Sequence, residues 1–408
     1  MIFFFFLILV FLLFGRPQDF FIFLAPYRLS LLFTILSFVL TIVFTSSVIT
    51  SKIFSIKESK RYLIFFFIMI IGIPFAYHSR VAFNFIFLKY LSNILFFFLF
   101  LVNVNSIKKL KQTLFVICIS TLFYAVNCLS KGVFVDGRLD SKTMYDPNDL
   151  AFFFVSLFPL FFLFIKKSEG MTKRILAISG VTLSIGVTVL TGSRGGALGL
   201  MVVFFIIIFT KIIIKKQSLK VLLLLILCFT LFYNINKINK ERFQSLTNLS
   251  SDYNFTSETG RLEIWKRALR LTISNPITGV GVGCFSKAIG EQRLREGISP
   301  KWQAPHNSYV QVLTETGLLG FFVFFSLIYL SFKNFFLQSK GKISNIDDDP
   351  YPSIAGVLMI GFTGSLICAF FLSQAYSIIF TFYFSLSVVL QSLNVQKEEN
   401  EDLSSKLQ

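Results

Sequence analysis

Few residues in this chain have the chemistry to act on a substrate, and the first of them is His306. It sits in APHNSYVQVLTETGLLG, residues 304 to 320, and is one of two histidines in the chain. Pro305, fixed in φ, suits a first helical turn, and Gly317 suits the left-handed position after a helix end, so about three turns of helix are expected between them. Tyr309, Val312, Leu313 and Thr316 recur at helical spacing and form a packing face. His306 then stands among the unpaired N–H groups of a helix N-terminus, where partial positive charge attracts phosphate and disfavours imidazolium. A histidine so placed is neutral and able to accept a proton. A histidine that only caps a juxtamembrane helix is the simpler alternative, and this stretch alone leaves both open.

Two arginines stand out beside it. Arg194 lies in LTGSRGGALG, residues 190 to 199, where Gly192, Gly195 and Gly196 permit a tight turn and Ser193 can cap the helix that follows. The flanking glycines leave the guanidinium open to a ligand; the alternative is an interfacial arginine reaching lipid headgroups. Arg261 opens SETGRLEIWKRALRLTISNP, residues 257 to 276, a helix ended by Asn275 and Pro276. Leu262, Trp265, Ala268, Leu269 and Thr272 form the expected apolar stripe, with Glu263, Lys266, Arg267 and Arg270 facing away. Arg261 falls on the apolar side, where a charge is costly unless it meets an anion, although an arginine at a helix end can also reach water. Arg267, on the basic face, is a lesser candidate for substrate binding.

Other motifs say less. Asp146-Pro147-Asn148 is a turn signal, with Asn148 or Asp149 expected to cap the next helix. Capping alone explains Asn148, and holding a sugar hydroxyl is its alternative role. GVGVG at 279 to 283 follows no strand, so it is taken as a bent backbone approaching another element closely rather than a dinucleotide fingerprint. Asp347, Asp348 and Asp349 resemble metal-binding acidic runs but are expected on the opposite side of the membrane from His306.

The elements that must position these residues are membrane helices. The 408-residue chain is 54% hydrophobic with 55 phenylalanines and a net charge of +18, which excludes a water-soluble fold. Taking roughly 20 apolar residues as the length of a span, twelve candidates lie near 2 to 14, 28 to 49, 62 to 76, 81 to 102, 110 to 130, 150 to 165, 174 to 190, 196 to 214, 219 to 235, 317 to 332, 353 to 372 and 375 to 393. The spans, rich in Phe, Leu and Ile, are expected to face lipid. The first has no basic start or small-residue cleavage site and is kept as a span. Lys and Arg collect in alternate connections, at Lys52 to Arg61, Lys108 to Lys111, Lys166 to Arg174, Lys211 to Lys220 and Lys333 to Lys342, which places those inside and the segment 236 to 316 outside, the loop 131 to 149 with Lys131, Arg138 and Lys142 being the exception among outer turns. From 236 to 305 basic residues outnumber acids eleven to six, which suits an anionic partner on the outer face. The expected organisation is all-α: spans one to nine over 1–235, an outer helical loop carrying His306 over 236–316, spans ten to twelve over 317–393, and a tail over 394–408 that is inside, leaving no outer extension. Cys118, Cys128, Cys228 and Cys368 fall in apolar spans and only Cys284 in the outer loop, so no disulfide framework is implied.

With SRGG at 193 to 196, GRLEIW at 260 to 265, NPITGVGVGCF at 275 to 285 and PHNSYVQVLTETGLLG at 305 to 320 in that order, the chain resembles the O-antigen ligase and polymerase superfamily. The resemblance covers the C-terminal half in motif and the whole chain in span count. It implies a GT-C type glycosyltransferase that needs no metal or other cofactor. Such an enzyme moves a glycan from undecaprenyl diphosphate to lipid A core or a growing glycan, at the periplasmic face of the bacterial inner membrane. The family's one loop histidine and two arginines correspond to His306, Arg194 and Arg261. On that reading His306 is the general base and the arginines neutralise the leaving diphosphate. Asn307 is implied to orient the imidazole or the sugar, and Glu315, about two turns further on, is structural. The resemblance favours a ligase, with a polymerase or a protein-glycosylating oligosaccharyltransferase as alternatives and no role for nucleic acid. A transporter of lipid-linked glycans is the reading of another class, but repeats and ionisable groups at mid-membrane are not found in the sequence.

Overall fold

The computed structural model describes residues 1–44, 55–210, 220, 257, 260–340 and 350–406. Apart from Lys220, the ninth expected span lies outside the described residues, as do Asp347, Asp348 and Asp349. Within them the fold is helical, with one antiparallel hairpin, Val133–Val135 with Arg138–Asp140. The chain is a polytopic membrane protein. Among the described residues seven helices are long and apolar enough to cross a membrane: Ile22–Phe44, Ser79–Asn103, Ile107–Lys131, Pro147–Phe164, Met171–Leu190, Ser308–Ser339 and Ile378–Lys397. Three shorter apolar helices, Ile2–Gly15, Arg194–Phe209 and Ser353–Ala369, and the Lys57–Ile71 helix occupy further expected positions.

The phenylalanines do more than face lipid. Exposed Leu31, Leu32, Ile35, Val39 and Ile42 give the Leu29–Phe44 helix a lipid-facing surface. Phe152, Phe153 and Phe154 of the Pro147–Leu157 helix are instead buried, and Phe6, Phe14, Phe100 and Phe382 interlock edge to face in the interior, with Phe96 stacked on Phe6. Close-packed aromatic faces hold the bundle where lipid supplies no hydrophobic drive between helices. Small residues bring other helices closer still: a Cβ on Gly199 would sit 2.5 Å from Cys368 Sγ, and one on Gly196 would sit 2.4 Å from the Ala151 methyl.

The loops that the lysine pattern assigns to one side do meet at one end of the bundle. Thr143 Oγ1 donates to Asp19, the Arg138 guanidinium donates to the Thr191 carbonyl, and the Tyr77 N–H donates to the Val280 carbonyl. At the other end Lys111 lies 3.9 Å from Glu169, joining two of the lysine-rich connections.

The histidine stretch differs from expectation at its start. The helix runs from Ser308 rather than Pro305, because Asn307 takes the N-cap position: its Oδ1 accepts from the N–H groups of Tyr309 at 2.9 Å and Val310 at 3.1 Å. Gly317 then breaks the run to Ser339, with φ 66° and ψ −170°. The carbonyls of Thr314 and Glu315, freed by the break, accept from Val280 and Gly281, and the Leu318 N–H donates to the Pro276 carbonyl. GVGVG is therefore the partner of the break. Gly279, Gly281 and Gly283 all have positive φ, and a Cβ on Gly279 would meet the Glu315 carbonyl at 2.6 Å. Glu315, buried as expected of a structural residue, accepts from the Phe285 N–H at the start of the Phe285–Arg295 helix.

Candidate active site

His306 lies outside the helix it precedes, in the left-handed region at φ 47°, a conformation rarely adopted by a residue other than glycine. Contacts on both flanks hold it there. Its own N–H donates to Ser373 Oγ at 3.0 Å. Next to it Ser308 Oγ donates to the Leu372 carbonyl at 2.7 Å and accepts from the Gln374 N–H at 2.9 Å. On the other flank the Trp265 indole N–H donates to the Pro305 carbonyl at 2.9 Å. Two orphan N–H groups of the helix are thus used by Asn307, and the imidazole stands beside the helix start.

Burial more than charge disposes the ring to its neutral form. Burial pushes the His306 imidazole below its ordinary range, the positive charge of Arg261 pushes the same way, and Asp146 opposes them. Sequence reasoning attributed the effect to the helix terminus, whereas burial is the larger cause.

Arg261 is the first residue of the Arg261–Ser274 helix, with Gly260 as its N-cap. That helix ends at Asn275 as expected, but it is rotated from the expected stripe. Its buried residues are Ile264, Arg267, Ala268, Leu271 and Thr272, whereas Leu262 and Leu269 are exposed. Arg267 lies on that buried side, where it pairs with Glu296 at 2.7 Å, stapling the helix to the end of its neighbour Phe285–Arg295, and with Glu263 of its own helix at 3.3 Å. Arg267 is thereby committed to protein carboxylates.

Arg194 opens the Arg194–Phe209 helix, where Ser193 Oγ accepts from the Gly196 N–H at 3.2 Å, the cap anticipated from sequence. The neighbouring glycines serve close packing rather than openness: a Cβ on Gly195 would sit 3.0 Å from Phe371 Cβ. Phe371 is two residues from Ser373, so Arg194 and His306 are anchored to the same short connection, 370 to 376.

Two further groups complete this end of the bundle. Asp146, not Asn148 or Asp149, caps the Pro147–Leu157 helix, because Pro147 fits its first position; Asp146 Oδ1 accepts from the N–H groups of Asn148 at 2.7 Å and Asp149 at 2.8 Å. Arg138, on the hairpin, donates through Nε to the Thr191 carbonyl at 2.8 Å and through Nη2 to Asn148 Oδ1 at 2.7 Å. Asn148 thus holds an arginine that holds the turn leading to Arg194. Arg138 and Ser373 escaped the sequence reading as site residues, and Asp146 entered it only as part of a turn signal. The only signals for them were polar residues in outer connections that otherwise looked like turns.

Among the described residues no group of three His, Cys, Asp or Glu side chains could hold a metal ion. The other histidine, His78, pairs with Glu291 at 2.5 Å, on the Phe285–Arg295 helix. The arrangement therefore offers one neutral base beside one arginine and a second arginine anchored through 370 to 376. It suits removing a proton from an acceptor while an anionic group is held.

No curated protein matches the chain. Residues 179–325, which include Arg194, Arg261 and His306 and the glycine-bearing break that positions them, match the family model described as O-antigen ligase, so the chain carries an O-antigen ligase domain there.

Proposed function

We propose that the protein is an O-antigen ligase, which transfers a glycan from undecaprenyl diphosphate to lipid A core on the periplasmic face of the inner membrane. On this reading the chain has twelve spans, with the large periplasmic loop between the ninth and tenth. The observation that carries it is His306, held in a left-handed conformation and kept neutral by burial and Arg261 within a matched O-antigen ligase domain.

The chemistry balances without further groups. An acceptor hydroxyl gives its proton to the neutral His306 imidazole as its oxygen bonds to the anomeric carbon. The bond from that carbon to the diphosphate oxygen breaks, and the electron pair leaves on the lipid diphosphate. Arg261 and Arg194 neutralise the developing charge, for which guanidinium geometry matches phosphate oxygens. Direct attack inverts the configuration at the sugar. Asn307, Arg267 and Asn148 act at one remove, as helix cap, helix staple and holder of Arg138.

The test is transfer in proteoliposomes containing purified protein, lipid-linked glycan and lipid A core. His306→Ala and Arg194→Ala are expected to abolish transfer while expression and membrane insertion stay normal, and chelator is expected to leave the wild-type rate intact. Wild-type transfer by a folded His306→Ala protein would remove the proposed base.

A further inference from the structure

The Arg261–Ser274 helix has two apolar faces. One, built from Ile264, Ala268 and Leu271, packs against the protein. On the other side Leu262, Leu269 and Ile273 recur at i, i+7 and i+11, which places them on a single stripe. All three are exposed, Ile273 at 78%, and Ile277 beyond the helix end is exposed at 64%. Lys266 and Arg270 lie along the same side and are exposed as well.

The stripe leads directly onto a spanning helix. The Pro276 carbonyl accepts from the Leu318 N–H at 2.8 Å, and a Cβ on Gly317 would meet the Ile277 carbonyl at 2.4 Å. Just beyond that junction Leu318, Leu319 and Phe322 are exposed on the Ser308–Ser339 helix, which is long and apolar enough to cross the membrane. Exposed apolar side chains on a helix of spanning length suit lipid, and the surface formed by Ile273 and Ile277 continues theirs.

We propose that the Arg261–Ser274 helix is an interfacial helix, its Leu262, Leu269 and Ile273 stripe seated with Ile277 in the acyl chains of the membrane leaflet. Lys266, exposed beside the stripe, suits anionic headgroups, as in amphipathic helices that lie along a bilayer surface. The consequence reaches the site. A helix pinned at the headgroup level fixes the height of Arg261, its first residue, and through Trp265 that of His306, at the depth where the diphosphate of a membrane-anchored lipid lies. The occupant is the bilayer itself.

The experiment reads depth and not transfer, so its outcome is independent of the activity proposed for His306. Leu269→Cys and Ile273→Cys are labelled singly with a nitroxide in protein whose Cys228 is replaced by Ser; Cys118, Cys128, Cys284 and Cys368 are buried. The protein is placed in nanodiscs of phosphatidylethanolamine and phosphatidylglycerol. Phe322→Cys serves as the lipid reference and Lys287→Cys, exposed on the Phe285–Arg295 helix, as the water reference. The expected result is oxygen accessibility exceeding that of a water-soluble nickel chelate at both stripe positions, as at Phe322→Cys. Nickel accessibility matching that of Lys287→Cys would put the stripe in water and overturn the proposal. Low accessibility to both reagents, the mark of a protein contact from another copy or from elsewhere in the chain, overturns it equally.

Discussion

The Trp265 indole N–H donates to the Pro305 carbonyl at 2.9 Å, so the helix that begins with Arg261 is tied to the residue before His306. The bond spans two motifs forty residues apart and sets the distance between base and cation. Trp265→Phe keeps an aromatic ring against Phe370 but removes the donor. A hydrogen bond of this kind contributes about 1 kcal/mol, and expressed in the transition state that amounts to about a fivefold loss of kcat. The check is the transfer rate in proteoliposomes beside an unchanged thermal midpoint.

The pH profile should reveal the same pairing. The neutral imidazole is the active form, and its pKa is held below the ordinary range by burial first and Arg261 second. The rate is therefore retained under mildly acidic conditions and falls only as pH drops through the lowered pKa. Removing the positive charge with Arg261→Gln lets the imidazole protonate more easily, so the acid limb of the residual activity is expected to move to higher pH. An acid limb in the same place for wild type and Arg261→Gln would separate the two residues. Arg261→Lys retains a charge but not the fork that matches diphosphate oxygens, and it should lose most of the rate without shifting the limb as far.

Arg138 is argued to be a positioning residue. Its guanidinium bridges the Thr191 carbonyl and Asn148, holding the turn from which Arg194 projects. If that is its role, Arg138→Ala lowers kcat, on the order of tenfold for the loss of one to two charge-assisted bonds, and leaves the donor KM nearly unchanged. Arg138→Lys restores only part, since an ammonium cannot present two fixed donors at once. A raised donor KM with kcat unchanged would instead place Arg138 on the diphosphate.

How much of this was legible in the chain depends on the scale of the signal. Gly317 and GVGVG announced a left-handed break and a close approach because glycine is nearly alone in tolerating both, and the two turned out to be halves of one junction. His306, Arg194 and Arg261 were singled out through motif order, and all three fall within the matched domain. The face of the Arg261–Ser274 helix was not, because hydropathy cannot distinguish an apolar stripe buried in protein from one left on the outside, and Arg267 was expected to face away from the packed side. In the fold Arg267 lies on the packed side, where Glu296 of the neighbouring element meets it at 2.7 Å. Ser373 and Arg138 were invisible for a different reason: each acts through a partner far away in sequence, whereas Asp146 was legible as a turn residue but not as the charge that opposes Arg261 at His306.

The glycine junction gives a stability contrast. Gly281 has φ 92°, and a Cβ there would lie 2.2 Å from the Ala76 methyl, so Gly281→Ala combines backbone strain with a clash against an element that cannot move aside. A cost of roughly 2–4 kcal/mol is expected, from strain and overpacking together. Gly297 has φ 71° but nothing within 4 Å, so Gly297→Ala carries only the backbone part, about 1 kcal/mol. Thermal unfolding in detergent should rank the two in that order, and equal midpoints would show that the approach to Ala76 is not tight.

The choice of acceptor rests on how many diphosphates the outer surface can hold. A polymerase binds two lipid-linked glycans, donor and acceptor, and needs cationic groups for both, whereas a ligase needs one such set. The loop has further arginines that could have supplied a second set, but three of them are occupied by the protein. Arg267 and Arg270 share Glu263 and Glu296, at 2.7 to 3.7 Å, and the buried Arg293 donates to the Ser299 carbonyl at 2.8 Å. Drawing any of them to a phosphate would strip a carboxylate or carbonyl of its partner, a cost a resting second site does not carry. Arg194 and Arg261, on the matched domain with His306, are the pair proposed for the single donor of a ligase, and a second set would have to come from the loop's remaining basic residues. Deletion of the gene is accordingly expected to leave full-length polymer on its undecaprenyl carrier and none on lipid A core, seen by separating lipid-linked from core-linked glycan. A core bearing one repeat unit after deletion would identify a polymerase instead, and would require the second diphosphate to be held by groups other than these arginines.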